Sequence, residues 1–518
     1  MFQKKQLDNS ALQQEKGWAT EGGMLKLYWY SAVLIVNSAI NGYDGSMMNG
    51  LQVLDTWTSY FHNPSPSSLG LLNAIQQVGG ICALFFAYQL TDRLGRRNAI
   101  MIGSLIVLLG VGLQSGSNSV GMFIGARFLI GFGTAISGNA APTLIVEISH
   151  PKQRGTVTGI YNSSWYLGSI IAAWTTFGTF YIPNEWSWRI PSILQGLFSL
   201  IQVIFIYTLP ESPRWLISRK REEEALQILA NLHGNGDPNN ELVQFEYREI
   251  VETIRLEQAA ANRSWFDLVN TRESLCLTGN RKRSFLVVAV GFFSQWSGNG
   301  LVSYYINKVL DGIGITNTVT KFVINGVLQI FNLFAAYFGS WLIERVGRRP
   351  LFLIATTGML ITFAIWTGLA AHATSDGGSN SGIGAAFVTF IFIYYFFYDI
   401  AWSPLTIAYP VEILPFSIRA KGMALSSLAV NAALFFNSYV NPIALDAIGW
   451  KYYLVYVIWI AVELVVVYFF FVETSGYTLE ELVVVFDGEG AEISDLDRAA
   501  IALENEKTVA PVSEKTEA

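Results

Sequence analysis

The octapeptide TDRLGRRN at positions 91–98 returns as IERVGRRP at 343–350. A second pair follows the same rhythm: VEISHPKQRG at 146–155 and VEILPFSIRA at 411–420, each with a Glu seven residues before an Arg (Glu147 and Arg154, Glu412 and Arg419). The first pair follows the second and eighth long apolar runs, and the second pair follows the fourth and tenth. Ordered recurrence at matched places reads as two parallel six-span units related by an axis along the membrane normal.

The runs themselves number twelve, at about 27–48, 69–90, 98–115, 119–148, 156–180, 187–209, 284–309, 320–343, 350–371, 383–412, 421–445 and 452–472. Each approaches or exceeds the roughly 20 residues that cross a bilayer. Only 14% of the 518 residues are charged, against about a quarter in a soluble chain. The expected fold is an all-α membrane protein of twelve transmembrane helices in two pseudo-symmetric six-helix halves. The expected division is a cytosolic N-terminal tail (1–26), one half (27–209), a cytosolic helical linker (210–283), a second half (284–472) and a partly disordered cytosolic tail (473–518).

Charge sets the expected orientation. With the N-terminus inside, the outer loops hold Arg189, Lys308, Lys321 and Lys451, one span holds Arg127, and the rest of the 33 Lys and Arg fall inside. That is the positive-inside bias, and it puts both termini in the cytosol. No cleavable signal is expected ahead of the first span. Cys82 and Cys276 fall in a span and a cytosolic loop, so no disulfide is expected. Four scattered His lack metal-ligand spacing, and no nucleophile–base set is apparent, so neither a metal, a cofactor nor an enzyme is expected.

The repeated charges have two readings. Asp92, Arg93, Arg96, Arg97, Glu344, Arg345, Arg348 and Arg349, with Glu147, Arg154, Glu412 and Arg419, could snorkel at helix ends. The sharper reading is a cytosolic gate, whose inter-helix ion pairs lock the halves together in one state and release them in another.

Inside the spans, Asp44 and Arg127 fall at similar depth in the outer third. Both are expensive alone and cheaper as a pair. They form either a static ion pair or a proton switch. Asp399 and Glu463 are also mid-span. Asp399 reads as a sugar acceptor or second proton site, Glu463 as a structural partner. Asn162, Gln295, Asn299, Asn325, Gln329 and Asn431, with Trp165, Trp296, Tyr304 and Tyr305, make an amide and aromatic lining that suits a neutral polyol. A single intramembrane cation argues against phosphate or carboxylate cargo.

DRLGRR, PESPRWL (210–216), GRRP, the Glu-to-Arg motif of 411–420 and ETSGYTLEE (473–481) together resemble the sugar porter family of the major facilitator superfamily over nearly all of 27–485. The resemblance implies the major facilitator fold, sugar transport by alternating access, and no nucleic-acid partner. In proton-coupled members an Asp follows Gly-Tyr in the first span, and GYDG matches, which implies that Asp44 carries the coupling proton. The family's fifth-span Gln corresponds to Asn162. Its seventh-span pattern survives as Gln295, Gly298, Tyr304 and Tyr305, with Gly300 for its Asn and Asn299 displaced by one. Its tenth-span Trp is Ile407 here. These smaller residues imply a roomier or reshaped pocket and a likeness to the fungal lactose and cellobiose permease-like branch. The expectation is a monomeric, plasma-membrane symporter of a neutral sugar and a proton. A facilitator and a non-transporting sensor are the alternatives.

Overall fold

The computed structural model describes residues 22–150, 154–261, 279–375, 381–475, 482, 485 and 486. The expectations for the 1–21 tail, for Cys276 and for the tail beyond 486 lie outside the described residues, as do the side chains of Arg154 and Glu344.

The described elements are helical: α1 (Gly22–Leu51), α2 (Asp55–Tyr60), α3 (Pro66–Leu94), α4 (Arg96–Ser115), α5 (Val120–Ile148), α6 (Arg154–Thr179), α7 (Trp186–Phe205), α8 (Pro213–Ser218), α9 (Glu222–His233), α10 (Glu241–Ala261), α11 (Asn280–Trp296), α12 (Asn299–Asp311), α13 (Thr318–Val346), α14 (Arg348–Ser375), α15 (Ser381–Ile413), α16 (Phe416–Ile448) and α17 (Tyr452–Phe470). With α11 and α12 taken as one broken pass, α1, α3–α7 and α11–α17 make the twelve passes of a major facilitator fold. Local chemistry starts several of them. Ser65 accepts from Ser68 N ahead of Pro66, Ser119 from Met122 N, and Asn317 from Thr320 N, each satisfying an orphan donor of a first turn.

Nine described helical stretches are long and apolar enough to cross a membrane, and one of them, Lys421–Phe470, takes in two passes. α1 and α6 are not among them. Their Asn, Ser, Thr, Tyr and Trp lower the average, because these two helices carry the polar groups of the interior. They also cross in backbone contact. A Cβ on Gly42 would stand 1.7 Å from Trp165 O, and one on Gly168 would stand 2.0 Å from Ala39 O. Small residues at a crossing allow this approach, and Ser169 Oγ adds a bond to Gly42 O.

The two sets of six passes meet through α3 against α16 and α6 against α13. A Cβ at Gly70 would stand 2.6 Å from Tyr439 O, and Gly326 faces the indole of Trp174 at 3.0 Å. The second set shares one apolar core, from Leu286 through Trp402 to Phe471.

Candidate functional site

Asp44, on α1, is buried beside Arg127 of α5. The guanidinium makes two parallel bonds, Nη1 to Oδ1 and Nη2 to Oδ2, both 3.1 Å. Gln195 of α7 donates to the same Asp44 Oδ1 at 2.6 Å, and Arg127 also donates to Gln76 Oε1 at 3.0 Å and to Leu72 O at 2.6 Å. The pair is therefore held by four helices. Removing one member of such a buried pair costs about 3–5 kcal/mol. Gln76 and Gln195 escaped sequence reasoning; the available signal was a Gln inside an apolar run.

The seventh pass is broken where one helix was expected. α11 stops at Trp296, Gly298 takes φ +97°, and α12 starts at Asn299. A Cβ at Gly298 would also strike the Phe363 ring at 2.5 Å, so only glycine fits. The freed carbonyls are answered by α15. Tyr398 donates to Ser294 O at 2.6 Å, Tyr394 to Ser297 O at 2.8 Å and Tyr395 to Asn299 O at 2.8 Å. Irregular backbone at membrane depth persists where neighbouring side chains satisfy it. Ser297 Oγ reaches Glu463 at 3.0 Å.

α12 closes against the ends of α1 and α3 that the charge bias assigns to the outside. Asn307 donates to Asn49 O at 2.6 Å, Asn49 bonds Ser303 O, and Gln52 donates to Tyr304 O at 3.4 Å. Asn73 donates to the Tyr305 hydroxyl at 2.9 Å, which in turn donates to Ser438 O at 2.5 Å. The Tyr305 hydroxyl is thus taken up by Asn73 and Ser438. Tyr304 lies against Gly45: a Cβ there would meet its ring at 3.6 Å and the Trp165 ring at 3.9 Å.

Deeper, Tyr166 of α6 donates to Asp399 Oδ1 at 2.5 Å, while the other Asp399 oxygen is buried without a partner. Gln295 is half-buried; its main-chain carbonyl accepts from Asn437 at 2.7 Å. Asn299 donates to the Tyr398 hydroxyl at 2.9 Å, and half-buried Asn431 donates to Ser427 O at 2.8 Å.

Asn162 is exposed, and the buried neighbours on α6 that reach other helices are Tyr161 and Tyr166. One expectation is corrected. The space beside Gly300 is not open: a Cβ there would stand 2.0 Å from Asn437 Nδ2. Two of the motif ion pairs lie within one half each. Arg96 grips Glu147 at 3.1 and 3.2 Å, and Arg348 grips Glu412 at 2.9 and 3.2 Å. Among the described residues no ion pair joins the halves. Asp92 lies 3.8 Å from Arg96, Arg93 is exposed, Arg345 stacks on Trp341 at 4.0 Å, and Arg419 donates to Leu414 O at 3.2 Å.

The repeats also contain a matched pair of carboxylate caps. Gly95 (φ +93°) and Gly347 (φ +95°) turn the chain into α4 and α14. Glu211 accepts from Arg96 N at 3.0 Å and Arg97 N at 3.3 Å; Glu473 accepts from Arg348 N and Arg349 N, both at 3.0 Å. Burial pushes the Glu211 carboxyl up from its ordinary range, against the pull of those N–H groups and Arg97. A carboxylate at a helix N-terminus also meets the favourable end of the helix dipole.

The family described as "Sugar (and other) transporter" matches residues 30–486. The chain belongs to that family.

The family member is 29% identical over 452 residues to the MFS-type transporter criB of Aspergillus cristatus, covering 87% of this chain and 91% of the relative. It is 27% identical to the high-affinity glucose transporter of Kluyveromyces lactis, covering 88% and 84%. The inward-open xylose transporter XylE from E. coli superposes with a TM-score of 0.72 at 22% identity, covering 89% of this chain and all of that one, which shows the shared fold. This sugar transporter family member is a multi-pass membrane protein.

Proposed function

We propose that this transporter carries a neutral sugar together with a proton across the plasma membrane, by alternating access, with both termini in the cytosol. The observation that carries the reading is the four-helix seat of Asp44. The carboxylate is satisfied only while ionised, by Arg127 and Gln195. Protonation removes the charge that holds Arg127. The very next residue, Gly45, faces Tyr304 of α12 across the space a Cβ would fill, and one to two turns on, Asn49 and Gln52 bond that helix's backbone. A shift of α1 on protonation therefore reaches α12 directly, and this is the two-state element that coupling needs.

The cargo is read from the lining. Half-buried Gln295 and Asn431, Asn299 with its Oδ1 unpartnered, and the rings of Trp165 and Tyr304 offer donors, acceptors and flat apolar faces. In this arrangement Arg127 is bound to Asp44. Of the two small residues that suggested a larger cargo, only Ile407 keeps the suggestion: it is exposed, whereas Asn437 fills the room beside Gly300. On Ile407 we base a preference for a disaccharide such as lactose or cellobiose.

Uptake of labelled glucose, xylose, lactose and cellobiose in cells without other sugar uptake, with and without a protonophore, tests this. Accumulation of at least one sugar that the protonophore abolishes is expected. Uptake that only equilibrates would leave a facilitator with a structural Asp44, and disaccharides that never compete would remove the disaccharide preference alone.

A further inference from the structure

A cavity of about 240 Å³ lies away from the central lining, at the end of the second half that the charge bias assigns to the outside. α12 gives it Lys308 and Asp311, α16 gives Asp446, and the turn into α17 gives Trp450 and Tyr453. Asp311 is already paired with Lys321. Lys308, half-buried, and Asp446, exposed, both face the cavity, yet no ion pair joins them among the described residues. A donor and an acceptor thus stand in one hollow with an indole and a buried Tyr453 ring beside them.

We propose that this cavity is a second, outer site for a single-ring sugar. An ammonium offers only donors and a carboxylate only acceptors, so a ligand bridging Lys308 and Asp446 must both accept and donate, as ring hydroxyls do. Trp450 and Tyr453 supply the flat apolar faces that a pyranose covers with its C–H groups. A simple anion meets two carboxylates, and a simple cation meets Lys308. The volume is below the roughly 300 Å³ at which pockets for drug-sized ligands begin, which suits a single ring. The choice of sugar also rests on the transport reading above, but the site is separate from the central lining.

Its position gives it a consequence. Lys308 follows Asn307, which bonds Asn49 across the gate. A sugar here ties the back of α12 to α16 and α17 while the front of α12 closes on α1. It binds the arrangement seen in this structure and so favours it over any in which α12 leaves α16.

The test is acetylation of the purified full-length protein with an N-hydroxysuccinimide acetate, read by mass spectrometry at Lys308 and at exposed Lys451. D-glucose at about ten times its dissociation constant should slow Lys308 labelling about tenfold and leave Lys451 unchanged. Asp446→Asn should lose the protection. Gln295→Ala, which alters the central lining, should keep it. Equal labelling of Lys308 with and without D-glucose overturns the proposal. So does protection that Gln295→Ala removes and Asp446→Asn does not, because the effect would then come from the central site. Protection by glycine and not by D-glucose overturns it too, since the pocket would then fit a zwitterion. None of these readouts involves uptake, so a failure of the transport reading would be seen separately.

Discussion

Tyr166 donates its hydroxyl to Asp399 Oδ1 across 2.5 Å, and that bond joins the first six passes to the second six. The other hydrogen bonds described between the halves run from α12 to the C-terminal end of α1 and the N-terminal part of α3. The molecule is therefore closed at one end and tied once more near its middle. Tyr166→Phe should leave Asp399 without either partner, at a cost of about 1–3 kcal/mol. The conformational equilibrium should shift by roughly five- to a hundredfold. Thiol labelling of a Cys placed at Asn49, in a background lacking Cys82 and Cys276, reads the outer gate. Unchanged labelling with Tyr166→Phe would show that the bond does not bias the states.

The tyrosine cluster on α15 predicts a second effect. Tyr394→Phe removes the donor to Ser297 O at the break of the seventh pass. Thermal unfolding in detergent should show a loss of about 1–3 kcal/mol. Tyr439→Phe, on a half-exposed helix face of α16, should change stability by less than about 0.5 kcal/mol. Equal effects of the two would refute the assignment.

The departure at Gly300 makes a third prediction. Gly300→Asn should destabilise the protein, because Asn437 already holds that space and donates to Gln295 O. The double change Gly300→Asn with Asn437→Gly should recover part of the loss, as expected for residues in contact. Simple additivity, read by the same melting experiment, would contradict the packing seen here.

The Arg–Glu pairs of the repeats predict a change in rate. Arg96→Ala and Arg348→Ala each remove the arginine partner of a half-buried Glu of the same half and leave the caps Glu211 and Glu473 in place. Maximal uptake should fall while sugar affinity in direct binding stays within about twofold, since neither Arg is near the lining. Loss of affinity at full rate would oppose this.

Much of this was legible from residues alone. The repeat at Arg96 and Arg348 and the twelve runs carried the fold, since long apolar segments have few alternatives in a bilayer. Asp44 and Arg127 were legible because two lone charges at one depth have few partners to choose from. The caps Glu211 and Glu473 were visible only as motif letters, because their role depends on the φ of Gly95 and Gly347. The break at Gly298 and its three tyrosines were hidden for a related reason: a period of helical hydropathy does not reveal which carbonyls lack donors. Gly300 misled because a small residue reads as space, although a neighbour from another helix can fill it.

The central claim is that Asp44 carries the proton. Its most direct measurement is alkalinisation of a weakly buffered medium on sugar addition to cells expressing the wild type or Asp44→Asn. The wild type should raise the external pH as sugar enters. Asp44→Asn should give no rise and no protonophore-sensitive accumulation, while still exchanging labelled for unlabelled sugar. A normal pH rise with Asp44→Asn would contradict the account.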